Sequence, residues 1–204
     1  MSAHPVPLVA SDLDPDPLVQ FRRWYDAAIA ALGDDANAMA LATVGGDGAP
    51  SARMVLLKGC DADGFRFFTN YGSRKGRELD GNPRAALLFH WAPLARQVRI
   101  EGDVRRLHAA ASDAYFDSRP LASRLSAIAS PQSEVIADRD VLEARVRELT
   151  ATARGARPPR PVAWGGFVLS PRAIEFWQAG RHRLHDRFRY RREHERWIVE
   201  RLAP

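Results

Sequence analysis

Three things are scarce in this chain, and each scarcity excludes something. Cys60 is the only cysteine, so no internal disulfide can form. A lone thiol suits a reducing compartment, and the expectation is a cytoplasmic protein. Apolar runs are short. None approaches the ~20 residues of a membrane-spanning helix, and "MSAHPVPLVASDLDPDP" has no basic stretch ahead of a long apolar one, so neither a membrane span nor a signal peptide is read. Lysine is the third. Of 30 basic residues only Lys58 and Lys75 are lysines. Arginine stands wherever either cation would serve. Unless chance retained them, the two lysines mark sites that need a compact ammonium with three donors rather than a flat guanidinium fork.

Several motifs are also missing. No G-x-G-x-x-G opens a βαβ unit, and there is no Walker A loop, H-E-x-x-H or G-x-S-x-G. Zinc-finger, RNP and basic-zipper patterns are absent, so nucleic acid is not an expected partner. Carboxylate pairs suited to acid–base work are not evident.

What is present fits a globular protein. The 204 residues, 46% hydrophobic and 27% charged, suffice for one domain with a proper core. Net charge is +5, carried by dispersed arginines with local clusters. That pattern favours small phosphate-bearing ligands over a nucleic-acid stripe. Residues 1–15 are rich in Pro and Asp and are expected to be mobile; residues 16–204 form a single domain. A helix opens at "DPDPLVQFRRWYDAAIAAL", with Asp16 as cap, Pro17 in the first turn and an apolar stripe of Leu18, Phe21, Trp24, Ile29 and Leu32. "AMALATV" and "SARMVLLKG" are strands around a Gly/Asp turn, and "FRFFTN" is a third. "SRKGRELDGNP" is a short helix capped by Ser73. "RAALLFHWA" and "RQVRIEGDVRRL" are strands. "AASDAYFDSRPLASRLSAIAS" and "DRDVLEARVRELTATAR" are helical. "WGGFVLS", "AIEFWQA", "HDRFRYRR" and "RWIVERL" return to strands. The fold class is therefore α+β, with a mostly antiparallel sheet closed as a barrel.

Four clusters could meet an anion. Arg74 and Lys75 lie in the first turn after Ser73, where free N–H groups and the helix dipole already favour negative charge. In "SARMVLLKG" strand alternation puts Arg53, Val55 and Leu57 on one face and Met54, Leu56 and Lys58 on the other. In "RHRLHDR", Arg183, His185 and Arg187 share a strand face, where self-repulsion calls for an anion. His182 and His185 fall on opposite faces without a third ligand nearby, so no metal is assigned. Tyr115, Arg119 and Ser123 are four apart, on one helical face if the helix survives Pro120. Spacing alone fits a plain surface helix equally well. Several phosphate-capable sites with few catalytic side chains suit an enzyme whose cofactor performs the chemistry.

"RMVLLKG", "FFTNYGSRKGREL", "RQVRIEG", "YFDSRPLAS", "SPQS", "WGGF" and "IEFWQAGRHRLHDRFRY" follow one another in an order and spacing that resembles the pyridoxamine/pyridoxine 5′-phosphate oxidase family, from Pro17 to the terminal "WIVERLAP". The resemblance implies an FMN-binding split β-barrel working as a homodimer, with flavin at the subunit interface. It implies FMN contacts from Arg53, Met54, Val55, Leu56, Leu57 and Lys58, from Phe68 and Thr69, and from Arg74 and Lys75 on the phosphate side. Gln97, Gln132, Ser133, Trp177 and Arg187 complete that set. The substrate phosphate would meet Lys58, Tyr115, Arg119 and Ser123. Arg183 and His185 would lie over the pyridine ring as catalytic residues. The implied reaction moves a hydride equivalent from pyridoxamine or pyridoxine phosphate to the flavin, with dioxygen as final acceptor and pyridoxal phosphate and peroxide as products. Two departures stand out: no Arg-x-x-Tyr segment precedes the first helix, and Phe68 stands where tyrosine is common. The competing expectation is a phenazine-type flavin oxidase acting on an unphosphorylated aromatic.

Overall fold

The computed structural model describes residues 6–204. Helix α1 (Pro17–Leu32) starts as its sequence dictates: Asp16 accepts a hydrogen bond from the Leu18 N–H at 2.8 Å, and Pro17 fills the first turn. Its buried side runs through Phe21, Trp24 and Ala28. Ile29 departs from the expected stripe and is 39% exposed. It stands one residue past Ala28, a turn of ~100° away from the core-facing side.

Among the described residues nine strands form one antiparallel sheet: β1 (Ala38–Val44), β2 (Pro50–Leu56), β3 (Gly59–Asp61), β4 (Gly64–Asn70), β5 (Arg84–Trp91), β6 (Arg96–Arg106), β7 (Trp164–Gln178), β8 (Asp186–Glu193) and β9 (Arg196–Arg201). Helix α2 (Arg74–Gly81) joins β4 to β5, and α3 (Ala109–Ser118), α4 (Leu121–Ala129) and α5 (Arg139–Ala153) lie between β6 and β7. The strand order is β2-β1-β5-β6-β7-β4-β3, with β8 and β9 branching from β7.

The branch is the split of the barrel. "WGGFVLS" and "AIEFWQA" are one 15-residue strand, not two. Its first half pairs with β4, from Trp164 opposite Asn70 to Leu169 opposite Phe65. Its second half pairs with β8, from Ala173 opposite Arg191 to Gln178 opposite Asp186. Pro171 reads as a break in sequence. Here a bulge absorbs it: Gly102 faces Pro171 and Glu101 faces Ala173, which leaves Arg172 as the extra residue.

Helix α1 plugs the barrel. Phe21 meets the Phe65 ring edge-on at 4.8 Å and Phe89 at 5.3 Å, and Trp24 meets Phe176 at 5.2 Å. All four phenylalanines are fully buried, each contributing about 1.5–3 kcal/mol of transfer free energy.

One expectation needs correction here. The helix around Tyr115 does not survive Pro120: α3 ends at Ser118 and α4 begins at Leu121, because proline disfavours the helical region at the residue before it. The expected mobile segment over 1–15 has definite partners across 6–14. Gln178 donates to the Val6 carbonyl at 2.7 Å, Asp186 accepts from the Leu8 N–H at 2.9 Å, and the Tyr190 hydroxyl donates to the Asp14 carbonyl at 2.6 Å. Leu8 is buried in the core. The rest of that expectation, residues 1–5, lies outside the described residues.

Candidate functional site

A cavity of about 560 Å³ opens between β2, β4 and the α3–α4 pair. Strand β2 contributes Met54, Val55 and Leu56, with Lys58 just beyond its end; β4 contributes Phe68, Thr69 and Asn70; α2 contributes Lys75. Tyr115 of α3, Arg119 in the break, Ser123 of α4, Gln132 in the following turn and Trp164 at the start of β7 complete the wall. Eleven of the residues named from sequence therefore converge. Tyr115, Arg119 and Ser123 do so although no single helix carries them.

At one end lies the α2 N-terminus. The Ser73 hydroxyl accepts from the Gly76 N–H, so the helix is capped as expected. Lys75 is only 8% exposed. Its Nζ has three neutral oxygens in reach: Gln132 Oε1 at 3.1 Å, Thr69 Oγ1 at 3.3 Å and Ser73 Oγ at 3.4 Å. Burial, and then the Arg53 charge, push this ammonium below its ordinary range, while Glu78 pulls the other way. A buried cation held by neutral oxygens beside a helix N-terminus fits a phosphate group.

Arg53 and Arg74 belong to the same end without lining the cavity. Both pair with Glu78, Arg53 Nη2 at 3.1 Å and Arg74 Nε at 2.8 Å. Thr43 and Ser51 also donate to this carboxylate, at 2.5 and 2.7 Å. Burial pushes Glu78 up, but these four hydrogen bonds outweigh it and hold its pKa at about 2. Sequence reasoning missed Glu78, since an acid four residues after an arginine reads as an exposed helix pair.

The other end is aromatic and cationic. Phe68 and Tyr115 stack at 3.9 Å, and Phe68 and Trp164 at 5.6 Å. A Cβ at Gly166 would fall 2.7 Å from Phe68 Cε1, which explains a glycine in "WGGF". The Arg119 guanidinium lies 4.9 Å from the Trp164 ring centre. Its Nη1 is sealed from solvent and has no hydrogen-bond partner among the described residues. Burial lowers its pKa, yet an arginine remains a cation. Arg124, fully buried, donates from Nε to the Arg119 carbonyl at 3.0 Å and fixes the backbone there. Trp164 and Arg124 were both missed from sequence; the fold brings Trp164 to the site, while Arg124 stands next to Ser123 in α4.

The remaining named residues lie elsewhere. Leu57 is buried in the core, and Ser133 is exposed at φ 74° in the turn beside Gln132. Gln97, Trp177 and Arg187 stand opposite one another on β6, β7 and β8 and make one row across the sheet. His185 packs on the Trp177 ring at 4.6 Å. Arg187 pairs with buried Glu175 at 2.7 Å, a hydrogen bond that raises its pKa. The expected common strand face of Arg183, His185 and Arg187 is not found. Residues 181–183 form a 3₁₀ turn, with His182 and Arg183 at positive φ, and β8 starts only at Asp186. Gly180 permits this winding: its N–H donates to His185 Nδ1 at 3.2 Å, and a Cβ there would strike the Leu184 carbonyl. Trp164 and Trp177 lie near the two ends of β7, in its β4-paired and β8-paired halves respectively. One chain thus carries two separate clusters, the cavity and the Trp177 row.

Residues 25–153 match the pyridoxamine 5′-phosphate oxidase family, and residues 164–204 match the pyridoxine 5′-phosphate oxidase C-terminal dimerisation region. The chain belongs to the pyridoxamine 5′-phosphate oxidase family. Among its relatives in that family, pyridoxine/pyridoxamine 5′-phosphate oxidase of Cupriavidus metallidurans is 57% identical over 198 residues, covering 97% of this chain and 93% of the relative. That of Bordetella pertussis is 56% identical with the same coverage. Among solved structures, PhzG from Burkholderia lata in complex with tetrahydrophenazine-1-carboxylic acid superposes with a TM-score of 0.91 at 34% identity, covering 97% of this chain and 98% of that one. A pyridoxamine 5′-phosphate oxidase-related, FMN-binding protein of Nostoc punctiforme shares the fold, with a TM-score of 0.73 at 20% identity and 94% and 100% coverage. Oxidases of this family and the phenazine protein thus share one split barrel, and the choice between their chemistries rests on the cavity.

Proposed function

We propose that the protein is an FMN-dependent oxidase of pyridoxamine 5′-phosphate or pyridoxine 5′-phosphate, forming pyridoxal 5′-phosphate with dioxygen as acceptor and hydrogen peroxide as by-product. The carrying observation is that one cavity is lined by two cations, Lys75 and Arg119, that no carboxylate pairs among the described residues, and that Arg119 keeps a sealed Nη1 without a partner. That arrangement suits two phosphates, one on the cofactor and one on the substrate. Bound FMN would supply the electron-accepting ring that takes a hydride equivalent from the substrate's 4′ carbon.

The chain's own residues hold and orient. Lys75 and the α2 N-terminus hold the cofactor phosphate, with Arg53 and Arg74 behind them. Met54 to Leu56 and Thr69 border the ring, and Gln132 closes over Lys75. Lys58, Arg119, Tyr115 and Ser123 take the substrate phosphate and fix the distance of its reacting carbon from the cofactor. Cys60 takes no part: burial pushes its thiol up to about 12.

A homodimer completes the site in this reading. Met54, Leu56 and Leu88 are 63%, 46% and 37% exposed on β2 and β5. Large apolar side chains left open on a sheet face mark an association surface. A second copy seated there brings its Gln97, Trp177, Arg187, Arg183 and His185 to this cavity, across a separation one chain does not bridge. Arg183 then orients the substrate's reacting end and His185 the ring's polar substituents.

The likeness to PhzG favours a second reading, oxidation of an unphosphorylated tricyclic acid. Arg119 argues against it, because its sealed Nη1 would then stay an unpaired donor in the complex. The deciding experiment is an anaerobic titration of the FMN-loaded protein. Pyridoxamine phosphate bleaches the flavin absorbance if the first reading holds. Bleaching by unphosphorylated aromatics and not by pyridoxamine phosphate overturns it.

A further inference from the structure

Glu78 is the most heavily bonded acid near the cavity, and the family resemblance gives it no role. Its Oε2 accepts from Thr43 on β1 at 2.5 Å and from Ser51 and Arg53 on β2 at 2.7 and 3.1 Å; its Oε1 accepts from Arg74 on α2 at 2.8 Å. Arg53 is held from its other side as well, by the Thr43 hydroxyl at 2.5 Å and the Leu41 carbonyl at 3.2 Å. One buried carboxylate therefore ties together three chain segments and two arginines.

We infer that Glu78 is a positioning residue: it presets the guanidinium groups of Arg53 and Arg74 beside Lys75, so that a flavin phosphate meets an ordered set of cations. The inference rests on the reading of this cavity as an FMN site. Charge supports it. Arg53, Arg74 and Lys75 with Glu78 leave two net positive charges, against about −1.5 to −2 on a phosphate monoester at pH 7. Without the carboxylate, three cations would crowd one corner, since Arg53 and Arg74 both bond Glu78 and Lys75 follows Arg74 in the chain. Geometry supports it too. A preset donor loses less freedom on binding than a mobile surface arginine.

Glu78→Gln keeps the shape and removes the charge. Its amide has one acceptor and one NH₂. Turned one way its NH₂ opposes the Arg74 Nε–H, and turned the other it opposes the Arg53 guanidinium, so at least one arginine loses its bond to residue 78.

The test compares FMN with riboflavin, which lacks the phosphate, by fluorescence titration of the full-length apoprotein. Glu78→Gln is expected to weaken FMN about tenfold, or about 1.4 kcal/mol, and to leave riboflavin affinity unchanged. A purely structural staple would weaken both flavins alike, and that result overturns the inference, as does an unchanged FMN-to-riboflavin ratio. If Glu78→Gln does not fold, Thr43→Val serves instead. It removes one donor to Glu78 and one acceptor for Arg53, and a smaller loss confined to FMN is expected. A wild-type protein with no preference for FMN over riboflavin refutes the site reading itself, and the inference falls with it.

Discussion

Arg119→Met should make the ligand-free protein more stable and the working enzyme worse. The guanidinium has a sealed Nη1 with no partner among the described residues, and leaving such a donor unpaired costs about 1–3 kcal/mol. Its contact with the Trp164 ring, at 4.9 Å, returns about 0.5–1 kcal/mol. Methionine keeps much of the apolar stem and fits irregular space. The net gain expected on substitution is roughly 1 kcal/mol, or about 2–4 °C in melting temperature at this chain length. With a phosphorylated substrate the sign reverses. A charge-assisted hydrogen bond worth about 1.5–3 kcal/mol is lost, roughly 10- to 150-fold in affinity. Calorimetry of the ligand-free protein and steady-state kinetics with pyridoxamine phosphate read the two effects separately. A variant that melts lower without ligand, or one with an unchanged KM, would refute the reasoning that Arg119 is stored for an anion.

Much of the barrel was legible because period-two alternation is a strong signal where one face is buried. Strand β1 alternates half-buried and buried residues along its whole length, and its partner β2 was read from within a residue of its start but carried past its end at Leu56. What failed had local causes. Strand β3 has three residues and no pattern to read. Pro171 hid the continuity of β7, because a bulge is a property of two paired strands and only one was in view. The turn carrying Arg183 and His185 was read as strand because neither His182 nor Arg183 is a residue type that announces positive φ. The site divides the same way. Cations at candidate anion sites were visible as departures from composition: Lys75 is the buried cation at a helix start, and Lys58 lines the cavity from an exposed position. The groups that hold them in place were not. Glu78 and Trp164 act through contacts between segments far apart in the chain, and no spacing rule reaches that far; Arg124 bonds back five and seven residues across the Pro120 break, where no helical spacing applies.

The two lysines give one set of further predictions. Lys75→Arg forces a larger head into a buried space beside Thr69, Ser73 and Gln132, and FMN affinity should fall by about 1–3 kcal/mol, roughly 5- to 150-fold. Lys58→Arg should raise the KM for a phosphorylated substrate and leave flavin affinity in place; Arg147→Lys, in the exposed part of α5, is the silent control. Wild-type behaviour in both lysine variants would mean that chance kept them. The last prediction concerns acid. Glu78 titrates near 2 in the folded protein against an ordinary 4.5. Between those values the unfolded chain binds a proton that the folded one refuses, so stability must fall as pH drops through this window. Above pH 4.5 the contribution is complete, and it amounts to on the order of 3 kcal/mol for a shift of this size. Chemical denaturation of the apoprotein at a series of pH values from 6 to 2 measures it, with Glu78→Gln as the comparison because it has no proton to take up. The variant's acid limb should be flatter than the wild type's by about that amount. Parallel limbs would mean that the four hydrogen bonds to Glu78 do not favour its charged form, and the preset arginines inferred from them would lose their anchor.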